Sequence, residues 1–222
     1  MDSLFGKKIN YSVSADLMIK VCGMREEKNI EEVRRLTPDF MGLIFYPKSL
    51  RYVGDEPLPY LEESFSPVRK VGVFVNEAES VVLDRCKAYG LDVVQLHGDE
   101  SVDYCVSLRK KGLHVIKAFG ISEEADLKKC GAYTSVCDAF LFDTKCVGYG
   151  GAGIRFDWNI LGDYTHEVPF LLSGGISEED VDDIKSLRHP FLVGVDLNSR
   201  FELAPALKDV PRLKRMMGKI RG

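Results

Sequence analysis

FLFDTKCVGYGGAGIRFDW, residues 140–158, joins an apolar strand, a terminal carboxylate and a glycine-rich loop that runs into an expected helix. Asp143 falls where the strand stops. Gly148, Gly150, Gly151 and Gly153 let the backbone turn tightly and bring bare N–H groups against an anion. A second turn, SGGIS at 173–177, repeats the pattern one strand later. Two such turns after successive late strands are where eight-fold βα barrels place a phosphate.

Working outward, runs rich in Val, Ile, Phe and Leu recur at a near-regular interval: MIKVC, FMGLIF, VRKVGVF, LDVVQL, HVIKAF, AFLFD, VPFLLS and FLVGVD. Between them lie amphipathic stretches such as EEKNIEEVRRL, EAESVVLDRCKAYG, ESVDYCVSLRKKG and SEEDVDDIKSL, with acidic residues near their starts. Near-continuous apolar strands alternating with helices imply a parallel sheet covered on both faces, and eight such units imply a single α/β domain, a (βα)₈ barrel spanning 18–222. The second unit is the weakest, because DEPLPYLEESF carries two prolines and has room for only a short helix. Residues 1–17 precede the first strand and read as a peripheral N-terminal arm, poorly ordered rather than functional.

At 222 residues the chain is close to the ~250 of one such barrel. A net charge of −4 argues against nucleic-acid or membrane-surface binding, so an anionic ligand must be held by local amides and a few cations. No apolar run approaches the ~18 residues that span a bilayer, and the first 17 residues lack a signal peptide's apolar region; the expected setting is the cytoplasm. The six cysteines show no C-x-x-C spacing, which argues against zinc, and reduced thiols are expected in this setting. A closed barrel has no free sheet edge, so a monomer is the default and a homodimer the alternative.

Barrel active sites are built at the carboxyl ends of the strands. Those ends carry Cys22, the loop YPKSLRYV with Arg51, Gln95 to His97, Asp143, Ser173 and Asp196. They supply no Ser-His-Asp set, metal-ligand cluster or Walker loop, and neither a metal nor an organic cofactor is expected.

KVCGMR, GLIFYPKSLRYV, VGVFVN, VVQLHGDE, FDTKCVGYGGAGIRFDW, LSGGIS and GVDLNSRFE occur in that order and cover most of 18–202. This series resembles the phosphoribosylanthranilate isomerase family of tryptophan biosynthesis, which isomerises a phosphorylated aminosugar by an Amadori rearrangement. The resemblance implies that Cys22, in K-x-C-G, is the general base and Asp143, in D-T-K, the general acid. It also implies that Arg51 holds the anthranilate carboxylate, a task suited to a planar guanidinium.

The residue types suit the chemistry. Ring opening needs a proton on the furanose oxygen, and the resulting iminium ion acidifies the C2′ proton that a base then removes. A carboxyl serves as acid where burial raises its pKa, and a thiolate serves as base where positive charge stabilises it. Phosphate recognition is expected from N–H groups of Gly151, Gly153, Gly174 and Gly175, joined by Asn198 and Ser199. His97 and Asp196 complete the expected substrate-binding set, although a structural histidine or a cap fits those positions as well. A cysteine ending an apolar strand is more often packing than catalysis. Its KVCG context reverses that balance.

Two strings depart from the family pattern: DLNSRFE has Asn198 for Ser and Arg200 for Gly, and PALKD has Ala206 for Gly. These bear on phosphate contact rather than on the reaction. Lys20 and Cys22, two apart on a strand, should share its inward face, where an ammonium would favour thiolate. The competing readings are a sister phosphosugar barrel isomerase with dual specificity and a non-catalytic phosphometabolite-binding barrel.

Overall fold

The computed structural model describes Leu4 and residues 17–56, 58–62, 64–145 and 155–222. The apolar runs become β1 (Met18–Val21), β2 (Phe40–Ile44), β3 (Arg69–Phe74), β4 (Val93–Leu96), β5 (His114–Ile121), β6 (Ala139–Thr144), β7 (Phe170–Leu172) and β8 (Leu192–Leu197). They are parallel and close into a barrel in sequence order, with β1 paired to both β2 and β8. At this closing seam Gly194 is required by space: a Cβ there would lie 2.4 Å from the Met18 carbonyl oxygen.

Side chains alternate across each strand, as a period of two demands. Ile19 and Val21 of β1, with Met41 and Leu43 of β2, join the large cluster beneath the helices. Phe40, Val71, Val93, Ile116, Leu141 and Leu171 instead form the interior layer. Each fully buried aliphatic side chain contributes about 1.5–3 kcal/mol, so these two layers dominate the stability of the scaffold. Leu4 is buried against the interior layer, and its carbonyl accepts from Arg69 Nη1 at 2.7 Å. The other residues ahead of Leu17 lie outside those described.

The outer ring comprises α1 (Glu27–Arg34), α2 (Pro59–Glu62), α3 (Glu79–Tyr89), α4 (Val102–Lys110), α5 (Glu124–Lys128), α6 (Val181–Ser186) and α7 (Val210–Arg221). Ser101 caps α4 by accepting from Tyr104 N, and Gly90 ends α3 in the left-handed conformation at φ 58°. The second helix is four residues long, in keeping with its prolines. Among the described residues, the expected helix after the glycine loop is instead a six-residue 3₁₀ segment, Trp158–Asp163. Its Asp, Asn and Gly are poor helix formers, and the Asp157 side chain takes the Asn159 N–H. After β8 the chain makes a short antiparallel hairpin, β9 (Glu202–Ala204) and β10 (Leu207–Lys208), before α7. No described helix is long and apolar enough to cross a membrane.

Candidate active site

The carboxyl ends of the strands surround a cavity lined by Cys22, Arg51, His97, Asp143, Gly174, Gly175, Asp196, Asn198, Ser199 and Arg200. Every candidate site residue within the described part of the chain therefore faces one space. Gly151 and Gly153 lie outside the described residues.

Cys22 follows β1 directly, and its N–H donates to the Leu197 carbonyl at 2.9 Å. Its sulfur occupies a notch in the neighbouring strand: a Cβ at Gly42 would come within 2.6 Å of Sγ and 3.2 Å of Lys20 Nζ. A glycine inside the apolar run FMGLIF is the sequence signal for this close approach. Lys20 and Cys22 share the inward face. Burial raises the Cys22 thiol above its ordinary value, while Lys20 and, more weakly, Lys208 pull it back.

Lys20 is wholly buried and donates to Asp196 Oδ1 at 2.9 Å. Burial alone would lower its pKa, but Asp196 and Cys22 outweigh that effect and leave the ammonium above its ordinary value. The same burial pushes Asp196 upward against the pull of Lys20, and the nearby Asp143 adds to the rise. Asp196 is thus the ion-pair partner of Lys20 on β1, and it also lines the cavity.

Asp143, near the end of β6, is 6% exposed, and its Oδ1 accepts from the Thr144 N–H at 2.8 Å. Its Oδ2 lies 3.5 Å from His97 Nε2. Gln95 Nε2 is 3.1 Å from His97 Nδ1, so the imidazole is held between an amide and the carboxylate. The SGGIS turn packs against this corner: Gly174 (φ 89°) and Gly175 (φ 65°) are both left-handed. A Cβ on Gly174 would meet Thr144 Oγ1 at 2.4 Å and Asp143 Oδ1 at 3.0 Å.

Arg51 is held side-on by Glu202, with Nε at 2.9 and 3.1 Å from the two oxygens and Nη2 at 2.6 Å from Oε2. Glu202 also accepts from Lys208 Nζ at 2.6 Å, and Lys208 reaches Asn198 Oδ1 at 2.7 Å. Glu202 and Lys208 were missed in the sequence, although both stand inside the strings quoted above. Among the described residues, no group of three or more His, Cys, Asp or Glu could hold a metal ion.

Residues 19–219 match the family model described as N-(5′phosphoribosyl)anthranilate (PRA) isomerase. The chain belongs to this family. A family member from Parabacteroides distasonis is 48% identical over 207 residues, covering 92% of this chain and 93% of its own. One from Caldanaerobacter subterraneus is 40% identical over 205 residues, covering 92% and 98%. The crystal structure of the Thermotoga maritima phosphoribosyl anthranilate isomerase superposes with a TM-score of 0.79 at 32% identity, covering 93% of this chain and 99% of that one. Another structure of the enzyme, at 30% identity with a TM-score of 0.77, is described as a complex with reduced 1-(o-carboxyphenylamino)-1-deoxyribulose 5-phosphate, and covers 93% and 99%.

Proposed function

We propose that this chain converts N-(5′-phosphoribosyl)anthranilate into 1-(2-carboxyphenylamino)-1-deoxyribulose 5-phosphate, with Asp143 as general acid and Cys22 as general base. The observation that carries this reading is the pair itself: a buried thiol just past β1 and a buried carboxyl on β6 open onto one cavity. Asp143 gives its proton to the furanose oxygen as the C1′–O bond breaks, leaving an iminium ion. The Cys22 thiolate then takes the acidified C2′ proton, and the enolamine formed ketonises to product. Lys20 supports the thiolate electrostatically, and His97 orients the carboxyl from the far side.

The two anionic ends of the substrate are assigned to different parts of the cavity wall. Arg51 takes the ring carboxylate, while backbone N–H groups of Gly174 and Gly175, with Asn198 and Ser199, take the phosphate. Gly151 and Gly153 belong to the same proposal on sequence grounds alone. The barrel is read as one domain from residue 18 onward, preceded by an arm. The five described cysteines are all free and buried, which supports a reducing, cytoplasmic setting. A T. maritima relative is described as dimeric; for this chain a monomer is proposed, and light scattering distinguishes it from a homodimer.

The test is a fluorescence assay of freshly generated N-(5′-phosphoribosyl)anthranilate with wild-type protein, Cys22→Ala and Asp143→Asn, folding being checked by circular dichroism. Turnover that falls by about 10²–10⁴-fold in each folded variant supports the assignment. A variant that keeps full activity removes its residue from the mechanism. An inactive wild type shifts the reading to a sister barrel enzyme or a binding protein. Turnover of the histidine-pathway aminoaldose by the wild type reveals dual specificity.

A further inference from the structure

We infer that Glu202 and Lys208 are a positioning pair that sets the angle of Arg51, so that the guanidinium meets the ring carboxylate end-on. This rests on the isomerase reading and on Arg51 as its carboxylate clamp.

The argument begins with how the fork is used. A guanidinium carries five N–H donors in one plane and offers two edges suited to a carboxylate. Glu202 occupies the edge formed by Nε and Nη2. The edge formed by Nη1 and Nη2 is the one left for a second carboxylate. Arg51 lines the cavity as a cation held bidentately by a carboxylate. A long side chain so locked has already lost the rotamer freedom that binding would otherwise cost.

Glu202 can do this because its own charge is secured. Its side chain is 5% exposed, and burial alone would favour the neutral acid. Arg51 and Lys208 outweigh burial and hold the carboxyl below its ordinary value. Lys208 is itself fully buried; burial draws its pKa down and Glu202 opposes that. Its second bond runs to Asn198, on the phosphate side of the cavity, so one buried cation ties the two ends of the site together.

A simpler role would be to staple the β9–β10 hairpin to the barrel. Other contacts carry most of that task. Asn29 bonds both backbone groups of Lys208, donating to its carbonyl at 2.9 Å and accepting from its N–H at 2.7 Å. The Asp209 N–H reaches the Phe201 carbonyl at 2.9 Å. The hairpin therefore has neutral anchors of its own; Glu202 Oε1 adds to them by accepting from the Ala206 N–H at 3.2 Å, while both of its oxygens also hold Arg51.

The experiment compares two inhibitors, the reduced 1-(o-carboxyphenylamino)-1-deoxyribulose 5-phosphate and the same compound without its ring carboxylate, on wild type, Glu202→Gln and Arg51→Met. Glu202→Gln should weaken the carboxylate-bearing inhibitor about tenfold, as expected for loss of a well-aimed charge-assisted pair, and leave the other within about twofold. Arg51→Met should lose the same selectivity, and adding Glu202→Gln to it should cost nothing more. Equal weakening of both inhibitors, or of neither, overturns the inference. Should Glu202→Gln fail to fold because Lys208 is stranded, Glu202→Gln with Lys208→Met removes that charge and is judged by the same two inhibitors. A wild type that binds both inhibitors equally overturns Arg51 as the clamp, and one that binds neither overturns the isomerase reading itself; the inference falls with either.

Discussion

Lys20 Nζ and the Cys22 sulfur stand on one inward face and both press into the space left by Gly42, where a Cβ would lie 3.2 Å from the nitrogen and 2.6 Å from the sulfur. The ammonium is the principal charge opposing the desolvation of the thiolate. Replacing it with an isosteric apolar chain, Lys20→Met, should shift the alkylation profile of Cys22 to higher pH. Iodoacetamide labelling read by mass spectrometry measures this at the single site. Because Asp196 would lose its partner, at a cost of about 3–5 kcal/mol for a broken buried pair, Lys20→Met with Asp196→Asn is the cleaner variant. An unmoved profile in the folded double variant would leave Lys20 with an ion-pairing role only.

A second expectation concerns the pH dependence of turnover. Burial leaves the folded Cys22 pKa above its ordinary value of 9.0, so around neutral pH most of the sulfur is thiol. A general base acts only when deprotonated, so the competent fraction of Cys22, read by its alkylation rate, should climb about tenfold per unit as pH rises from neutral toward its pKa, and kcat/KM should follow it wherever Asp143 keeps its proton. Cys22 alkylation that stays flat over that window would overturn this expectation.

Gly174→Ala should be costly on two counts. The backbone there is left-handed at φ 89°, and the added methyl would collide with Thr144 and Asp143. A loss of about 2–3 kcal/mol in urea unfolding is expected from overpacking and strain combined. Activity should fall further than stability, since the displaced neighbour is the proposed acid. Wild-type kcat in the folded variant would show that the turn does not set the position of Asp143.

At Ala206 the opposite substitution should help. This residue, where the family pattern has glycine, is fully buried and sits at φ 68°. The turn keeps its left-handed shape without a glycine, at a steric cost. Ala206→Gly should relieve roughly 0.5–1 kcal/mol of that cost and raise the unfolding midpoint with little change in turnover. A lowered midpoint would mean that the methyl's packing outweighs the strain.

Why some of this could be read in the sequence and some could not is a matter of interaction range. The eight strands were legible because a strand buried on both faces must be apolar along its whole length, as FMGLIF and AFLFD are. Cys22, Asp143 and the SGGIS turn were legible because a barrel places strand ends on one face. The Glu202 contact to Arg51 was not, since it joins residues 151 apart through a hairpin whose direction no local pattern announces. The burial of Leu4 escaped notice for the same reason: one leucine in a polar arm looks unremarkable until the interior layer it meets is assembled.

The space left at Gly42 ties chemistry to assembly. It is cut in backbone, and it faces the sulfur only while β1 and β2 keep the pairing that sets Lys20 against Phe40 and Val21 against Met41. Slide the strands by one residue and a methionine or a leucine side chain stands where the sulfur must go. A chain that closes its barrel out of step would keep its helices, its size and much of its spectroscopic signature, and would have no room for the Cys22 sulfur. With Cys22 as the proposed base, turnover becomes a proofreading signal for strand alignment, more discriminating than any probe of bulk secondary structure.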